Sequence, residues 1–187
     1  MTHTNIIEIN ITFNDIPQLA TTLWYAGCNL TCEGCHNNNL KDFKKGYTLN
    51  QLYSYLKKRK NITDWLVHLG GNPLDSIDTV QKVSEMAKEL GYKQFLYSGY
   101  TYTEFKNMFD YNTHQLLLNN IDYIKTGRYD IKYDRNCSVV GKEYFFVTLN
   151  QEVYYSNKYS WEKYYYFDGT IHGNLFNYNQ QPSNTKY

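Results

Sequence analysis

Asp64-Trp65-Leu66-Val67-His68-Leu69-Gly70-Gly71-Asn72-Pro73 is the stretch whose reading decides the fold. A short, mostly apolar run ends abruptly at two glycines and a proline, the pattern of a buried strand stopped by a turn. Just downstream, Ile77, Val80, Val83, Ala87 and Leu90 recur on one stripe, so Ser76–Leu90 reads as a helix with Gly91 as its C-terminal cap. Lys93–Tyr97 is the next strand, ending at Ser98-Gly99. Strand, helix, strand is a crossover unit, and such units build parallel sheets with right-handed connections.

The unit repeats in both directions. Upstream, Ala20–Tyr25 reads as a strand running into Gly27. Leu49–Lys60 reads as a helix, with Thr48 as N-cap and Leu49, Leu52, Tyr53 and Leu56 on its apolar face. Downstream, Thr101–Phe109 opens with the capping box Thr101-x-x-Glu104. A short helix covers Thr113–Asn119, and Ile121–Lys125 is a strand ending at Thr126-Gly127. Asn5–Phe13 alternates, with Ile7, Ile9, Ile11 and Phe13 on one face, which marks a half-buried strand near a sheet edge. Each inner strand thus stops at a glycine: Gly27, Gly70-Gly71, Gly99 and Gly127. Ligands of parallel sheets bind at the carboxyl ends of the strands, so these four turns form a candidate binding rim.

Beyond Tyr129 the pattern changes to short strands at Tyr144–Leu149, Val153–Ser156 and Tyr164–Phe167, with turns at Asn157-Lys158 and Asp168-Gly169. Eight of the fifteen residues Val153–Phe167 are aromatic, which suits strands covering a sheet edge or a partner-docking surface. Asn177–Lys186 is polar and reads as a frayed end. The expected organisation is a core over 1–150 and an aromatic-rich extension over 151–187 packed on it.

Several classes are disfavoured by composition. A net charge of +1 over 187 residues offers no electrostatic case for nucleic acid or an anionic membrane. The longest basic run, Lys57-Lys58-Arg59-Lys60, sits where a helix ends and suits its dipole. No apolar run reaches transmembrane length, and Met1–Asn14 carries Glu8 and Asn10 where a signal peptide would be apolar. The expectation is a cytoplasmic protein, in which clustered cysteines mean metal or catalysis rather than disulfides.

Three of the four cysteines lie within Gly27-Cys28-Asn29-Leu30-Thr31-Cys32-Glu33-Gly34-Cys35-His36-Asn37, spaced C-x3-C-x2-C, on a long polar loop over Cys28–Tyr47. Three thiolates with no regularly spaced fourth would leave one iron of a 4Fe-4S cluster without a protein ligand. A zinc site is the alternative, but it needs a fourth ligand, and His3, His68, His114, His172 and Cys137 stand at no recognisable ligand spacing.

Cys28-x-x-x-Cys32-x-x-Cys35 resembles the signature of the radical S-adenosylmethionine (SAM) superfamily. Within it, the chain is most similar to the activating proteins of the anaerobic (class III) ribonucleoside-triphosphate reductase. Gly34 precedes the third cysteine and His36-Asn37 follows it. Gly70-Gly71-Asn72-Pro73-Leu74 resembles that family's G-G-D-P-L, Tyr97-Ser98-Gly99-Tyr100 its W-T-G-Y, and Gly127-Arg128-Tyr129 its D-G-R-F. The matches run in order from about Ala20 to Asp134. Departures are Asn72 for the acidic residue, Thr126 for the Asp before Gly127, and only a weak echo of R-G-S-S-N in Arg135-Asn136-Cys137-Ser138.

The resemblance implies an α/β fold: a partial, open (β/α) barrel of radical SAM type with a mostly parallel sheet and a short aromatic-rich β extension at the C-terminus. It implies that Cys28, Cys32 and Cys35 hold a 4Fe-4S cluster. Gly34, Cys35, His36, Gly70, Gly71, Asn72 and Ser98 would bind SAM, largely through backbone groups, with no catalytic side chain beyond the cluster ligands. The implied activity is that of a glycyl-radical-enzyme activating oxidoreductase. Electrons would come from a flavodoxin-like donor, and the protein substrate would be the anaerobic ribonucleotide reductase large subunit. The alternatives are a radical SAM enzyme acting on a small molecule, of modified-base biosynthesis type, and a non-catalytic metal-binding module. His68 reads as a satisfied sheet histidine and Cys137 as a lone thiol. Arg128 reads either as a SAM or partner contact or as half of a surface salt bridge.

Overall fold

The computed structural model describes residues 2–16, 18–133, 150–167 and 171–172. The strand expected at Tyr144–Leu149, the turn at Asp168-Gly169, Cys137 with the Arg135–Ser138 echo, and the Asn177–Lys186 tail lie outside them. The strands are β1 (Ile6–Thr12), β2 (Ala20–Tyr25), β3 (Trp65–Gly70), β4 (Lys93–Tyr97), β5 (Tyr123–Thr126), β6 (Glu152–Ser156), β7 (Trp161–Phe167) and β8 (Ile171–His172). The helices are α1 (Leu49–Arg59), α2 (Ile77–Glu89), α3 (Tyr102–Met108) and α4 (Tyr111–Asn120). Short 3-10 turns cover Asn38–Leu40 and Pro73–Ser76.

The strands form one open sheet in chain order. β2, β3, β4 and β5 run parallel, joined by the expected helical crossovers. β1 joins antiparallel at one side, and β6, β7 and β8 follow antiparallel on the other. The sheet is therefore mixed rather than mostly parallel. The β1–β2 and β6–β7 connections are too short for a crossover helix and admit only antiparallel neighbours.

Capping explains the starts of α1, α3 and α4. Thr48 and Gln51 form a reciprocal capping box on α1, Thr101 and Glu104 form one on α3, and the Asp110 side chain accepts from Thr113 N–H to start α4 two residues before the expected Thr113. Gly91 follows α2 with φ +79°. Two face assignments need correction. In β1 the fully buried residue is Ile6, whereas Ile11 and Phe13 are 37% and 62% exposed. A register shift between Ile6 and Glu8 breaks the alternation, and an edge strand need bury little. On α1, Tyr53 is exposed, and Leu52 and Leu56 carry the contact. β7 also begins at Trp161, earlier than the expected Tyr164.

Strand alternation sends side chains to two cores. Leu23, Tyr25, Leu66, Leu96 and Ile124 meet Val80, Val83 and Ala87 of α2, Phe105 of α3 and Leu117 of α4. Ala20, Val67, Leu69 and Phe95 face the other way, where Ile16 of the β1–β2 connection and Val153 of β6 cover them. Burial on both faces is why these strands read as continuous apolar runs. The aromatic segment extends this packing: Tyr154 stacks on Tyr102 with ring centroids 3.8 Å apart, and Tyr164 meets Tyr123 edge-on at 5.6 Å. Among the described residues no helix is long and apolar enough to cross a membrane.

His68 lies on the helix-facing side. Gln94 Nε2 donates to the carbonyls of Ser84 (2.8 Å) and Asn120 (3.0 Å), so its Oε1 accepts from His68 Nε2 at 3.0 Å. His68 Nδ1 then accepts from the Tyr25 hydroxyl at 2.9 Å. Burial lowers the His68 pKa to about 4, against a pull in the other direction from Gln94. The residue is a neutral structural histidine, as its place within a strand suggested.

Candidate functional site

The carboxyl ends of β2–β5 are tied to one another by backbone hydrogen bonds. Gly71 N–H donates to Tyr25 O (2.8 Å) and Asn72 N–H to Gly27 O (2.9 Å), joining the turn after β3 to the chain leaving β2. Ser98 N–H donates to Lys125 O (2.8 Å) and Gly127 N–H to Tyr100 O (2.7 Å), joining the β4 and β5 ends. Close approach explains the paired glycines. A Cβ on Gly70, at φ +116°, would stand 2.5 Å from Tyr25 O, and one on Gly71 would stand 2.4 Å from Gly27 O.

The cysteine loop leaves this rim and returns to it. Gly27 N–H donates to Leu40 O (2.7 Å) and Cys28 N–H to Lys41 O (3.0 Å), closing the loop at its base, where Leu40 is buried. Asn37 Nδ2 donates to Gly70 O at 2.7 Å. The His36 ring lies 4.4 Å from the Tyr129 ring, linking the loop to the segment after β5.

Cys28, Cys32 and Cys35 are free, half-buried thiols that border one pocket of about 390 Å³. The same pocket is lined by His36, Asn37, Gly70, Gly71, Asn72, Ser98, Gly99 and Gly127. The rim and the loop, 35 residues apart at Cys35 and Gly70, thus enclose a shared space. Burial pushes the Cys28 thiol up; its hydrogen bond to the Leu30 backbone opposes this, and the nearness of Asp75, Cys32 and Cys35 adds to it. Among the described residues no three His, Cys, Asp or Glu side chains are gathered as a metal-binding group, so the thiols border the pocket without having converged. Thiolate sulfur is the ligand type that iron–sulfur clusters take, and the loop presents three to one opening.

Gly34 is the exception among the expected site residues. It does not line the pocket; it turns the loop at φ +68°, and a Cβ there would meet Ile131 Cδ1 at 3.0 Å. There the loop turns against Ile131. Asn72 lines the pocket with its amide engaged at both ends: Oδ1 accepts from Gly99 N–H (3.2 Å) and Nδ2 donates to Asp75 Oδ2 (3.0 Å). Arg128 makes two 2.7 Å hydrogen bonds to the Glu104 carboxylate, which holds the Glu104 pKa down to about 2. That pair is the surface salt bridge foreseen as one of its two readings.

The pocket also has walls that the sequence reading missed. Trp24 of β2 and Leu69 of β3 are register partners, as are Tyr97 of β4 and Lys125 of β5, and all four line the pocket. Alternation puts these side chains on one face of their strands, but they stand three, one, two and two residues before Gly27, Gly70, Gly99 and Gly127, so the pairing register and not a common count locates them. Lys125 Nζ lies 4.2 Å from the Tyr97 ring centre, and the Tyr97 hydroxyl donates to the Asp15 carbonyl. Burial raises the Asp15 carboxyl pKa, against the pull of its hydrogen bond from Thr22 (2.8 Å) and the charge of Lys125. Gln151 reaches the pocket from beyond β5 and donates to Gly127 O at 2.9 Å.

Fold and site together define an open α/β protein with a three-thiol loop at the carboxyl end of its parallel strands. Residues 18–148 match the family model of the 4Fe-4S single cluster domain, and the chain belongs to that family. It is thus an iron–sulfur protein carrying a 4Fe-4S cluster-binding domain. A search of curated proteins gave no match.

Proposed function

We propose that the protein is a radical SAM activase that generates a glycyl radical on an anaerobic ribonucleoside-triphosphate reductase. The observation that carries this reading is that the three loop thiols and the Gly70-Gly71-Asn72 and Ser98-Gly99 turns border one pocket. Cys28, Cys32 and Cys35 would hold the cluster, at the pocket that the rim also borders. When bound there, the cluster would supply the electron for reductive cleavage of SAM, the chemistry by which a hydrogen atom would be taken from the partner's glycine. Backbone groups of Gly70, Gly71 and Ser98 would position SAM. His36 with Tyr129, and Trp24 with Leu69, would wall the space from water. The volume of about 390 Å³ is in the range of small-ligand sites, roughly 300–1,000 Å³.

The test is anaerobic reconstitution with iron and sulfide, reduction by a flavodoxin-like donor, and assay for 5′-deoxyadenosine. The partner's large subunit is then added, and EPR looks for a glycyl radical. Deoxyadenosine with a glycyl signal is expected; reduced, cluster-loaded protein that leaves SAM intact would sink the reading. A second reading, a radical SAM enzyme for a small molecule, draws on Asp15, Lys125 and Gln151, polar side chains on the same pocket. Under it, SAM is consumed and the reductase glycine stays unmodified.

A further inference from the structure

Asp75, in the 3-10 turn Pro73–Ser76, lies outside the pocket lining and has no part in the reading above. Its carboxylate nevertheless meets every part of the rim on that side. Oδ2 accepts from the backbone N–H of Asn29 in the cysteine loop (2.8 Å) and from Asn72 Nδ2 in the turn after β3 (3.0 Å). Oδ1 accepts from the Tyr100 hydroxyl, beside the turn after β4, at 2.6 Å. The far end of the Asn72 amide accepts from Gly99 N–H. One carboxylate therefore connects the residue next to Cys28, the Gly-Gly-Asn-Pro turn and the Ser98–Tyr100 segment.

We infer that Asp75 is the positioning residue of the site, holding the cysteine loop and the two SAM-facing turns in mutual register, and that it is the reason residue 72 is an amide. The inference rests on the SAM reading for its second half. Hydrogen bonds to an ionised acceptor are roughly twice as strong as neutral ones, so a single half-buried carboxylate can order three segments. The resembling family has an acid at the position of Asn72. Here an acid would set two carboxylates about 3 Å apart, where like charges repel and neither could donate. The amide instead donates to Asp75 and passes the connection on to Gly99. In this chain the carboxylate stands at position 75 and the amide at position 72, and the rim stays connected.

Hydrogen exchange on the apo chain and SAM affinity of the reconstituted chain test this together. In Asp75→Asn, the Asn29 amide should exchange about tenfold faster while amides inside α2 are unchanged, as expected for losing a bond to a charged acceptor. SAM should bind about tenfold more weakly at unchanged iron content. Asn72→Asp should weaken SAM binding at least as much. The swap Asn72→Asp with Asp75→Asn, which restores one carboxylate and one amide, should recover affinity to within about threefold of the parent. Unchanged Asn29 exchange in Asp75→Asn overturns the proposal, as does exchange that quickens equally throughout the chain. A swap no better than either single change overturns the account of Asn72. Should Asp75→Asn fail to fold, Tyr100→Phe removes one hydrogen bond alone, and unaltered SAM affinity there counts against the hub. If the parent itself binds no SAM, the functional reading fails, and Asn29 exchange still decides whether Asp75 holds the loop.

Discussion

His68 and Lys125 are both buried in the parallel part of one sheet, 0% and 8% exposed, yet they face opposite ways. His68 points to the helices, where Tyr25 and Gln94 close its hydrogen bonds into a finished chain. Lys125 stands in the row with Trp24, Leu69 and Tyr97 that forms the floor of the pocket below the cysteine loop. Burial alone therefore does not separate structure from function in this fold. The face does, since one side of the strands is covered by α2, α3 and α4, and the other, covered in part by Ile16 and Val153, brings Trp24, Leu69, Tyr97 and Lys125 to the pocket.

The largest contrast should come from the loop thiols. Cys28→Ser, Cys32→Ser or Cys35→Ser should abolish cluster retention, read as iron per chain after anaerobic reconstitution, and under the proposed function SAM cleavage should fall by at least about a thousandfold. Thermal stability of the apo protein should barely change. His68→Ala should do the reverse. Orphaning Tyr25 and Gln94 should cost about 3 kcal/mol in urea unfolding while iron loading stays at the parent level. Parent-like stability in that variant would erase the distinction between the two faces.

pH sharpens the same point. The His68 pKa in the fold is about 4 against an ordinary value of 6.5, so the unfolded chain takes up the proton first as pH falls. The stability contributed by neutral His68 is present above pH 6.5 and is lost between there and about pH 4, by roughly 3 kcal/mol. Apo-protein urea midpoints across that range should show the loss, and His68→Gln should flatten it. On the rim, Gly71→Ala must move the Gly27 carbonyl, since its Cβ would stand 2.4 Å away. Under the proposed function SAM affinity should fall by about tenfold, with a stability cost of about 1–3 kcal/mol. The smallest effect belongs to Glu104→Gln. That salt bridge is solvent-exposed, so losing it should change stability by less than about 1 kcal/mol and leave cluster loading unaltered.

Much of this was legible in the chain. The crossover order, the capping box at Thr101 and Glu104, and the extent of β4 followed from local pattern. Local pattern also placed Thr48 as an N-cap and Gly91 after α2. All express short-range physics, in which a side chain bonds to its own turn or a period of 3.6 selects one face. The misses came where neighbours decide. Ile11 and Phe13 alternate like buried residues, but Ile11 lies on an edge strand whose register shifts and Phe13 falls just beyond that strand's end. Lys125 looked like the end of a strand until its register beside Tyr97 set it in the pocket.

By itself, the sequence determined the thiol triplet, the strand–glycine turns and the helices between them, because each depends on residues within a few positions of one another. Tertiary structure alone decided that the cysteine loop and the Gly70, Ser98 and Gly127 turns border one pocket. It also decided that Asp75 joins Asn29, Asn72 and Tyr100. Those contacts span up to 46 residues, and the parallel register of β2–β5 brings their ends together.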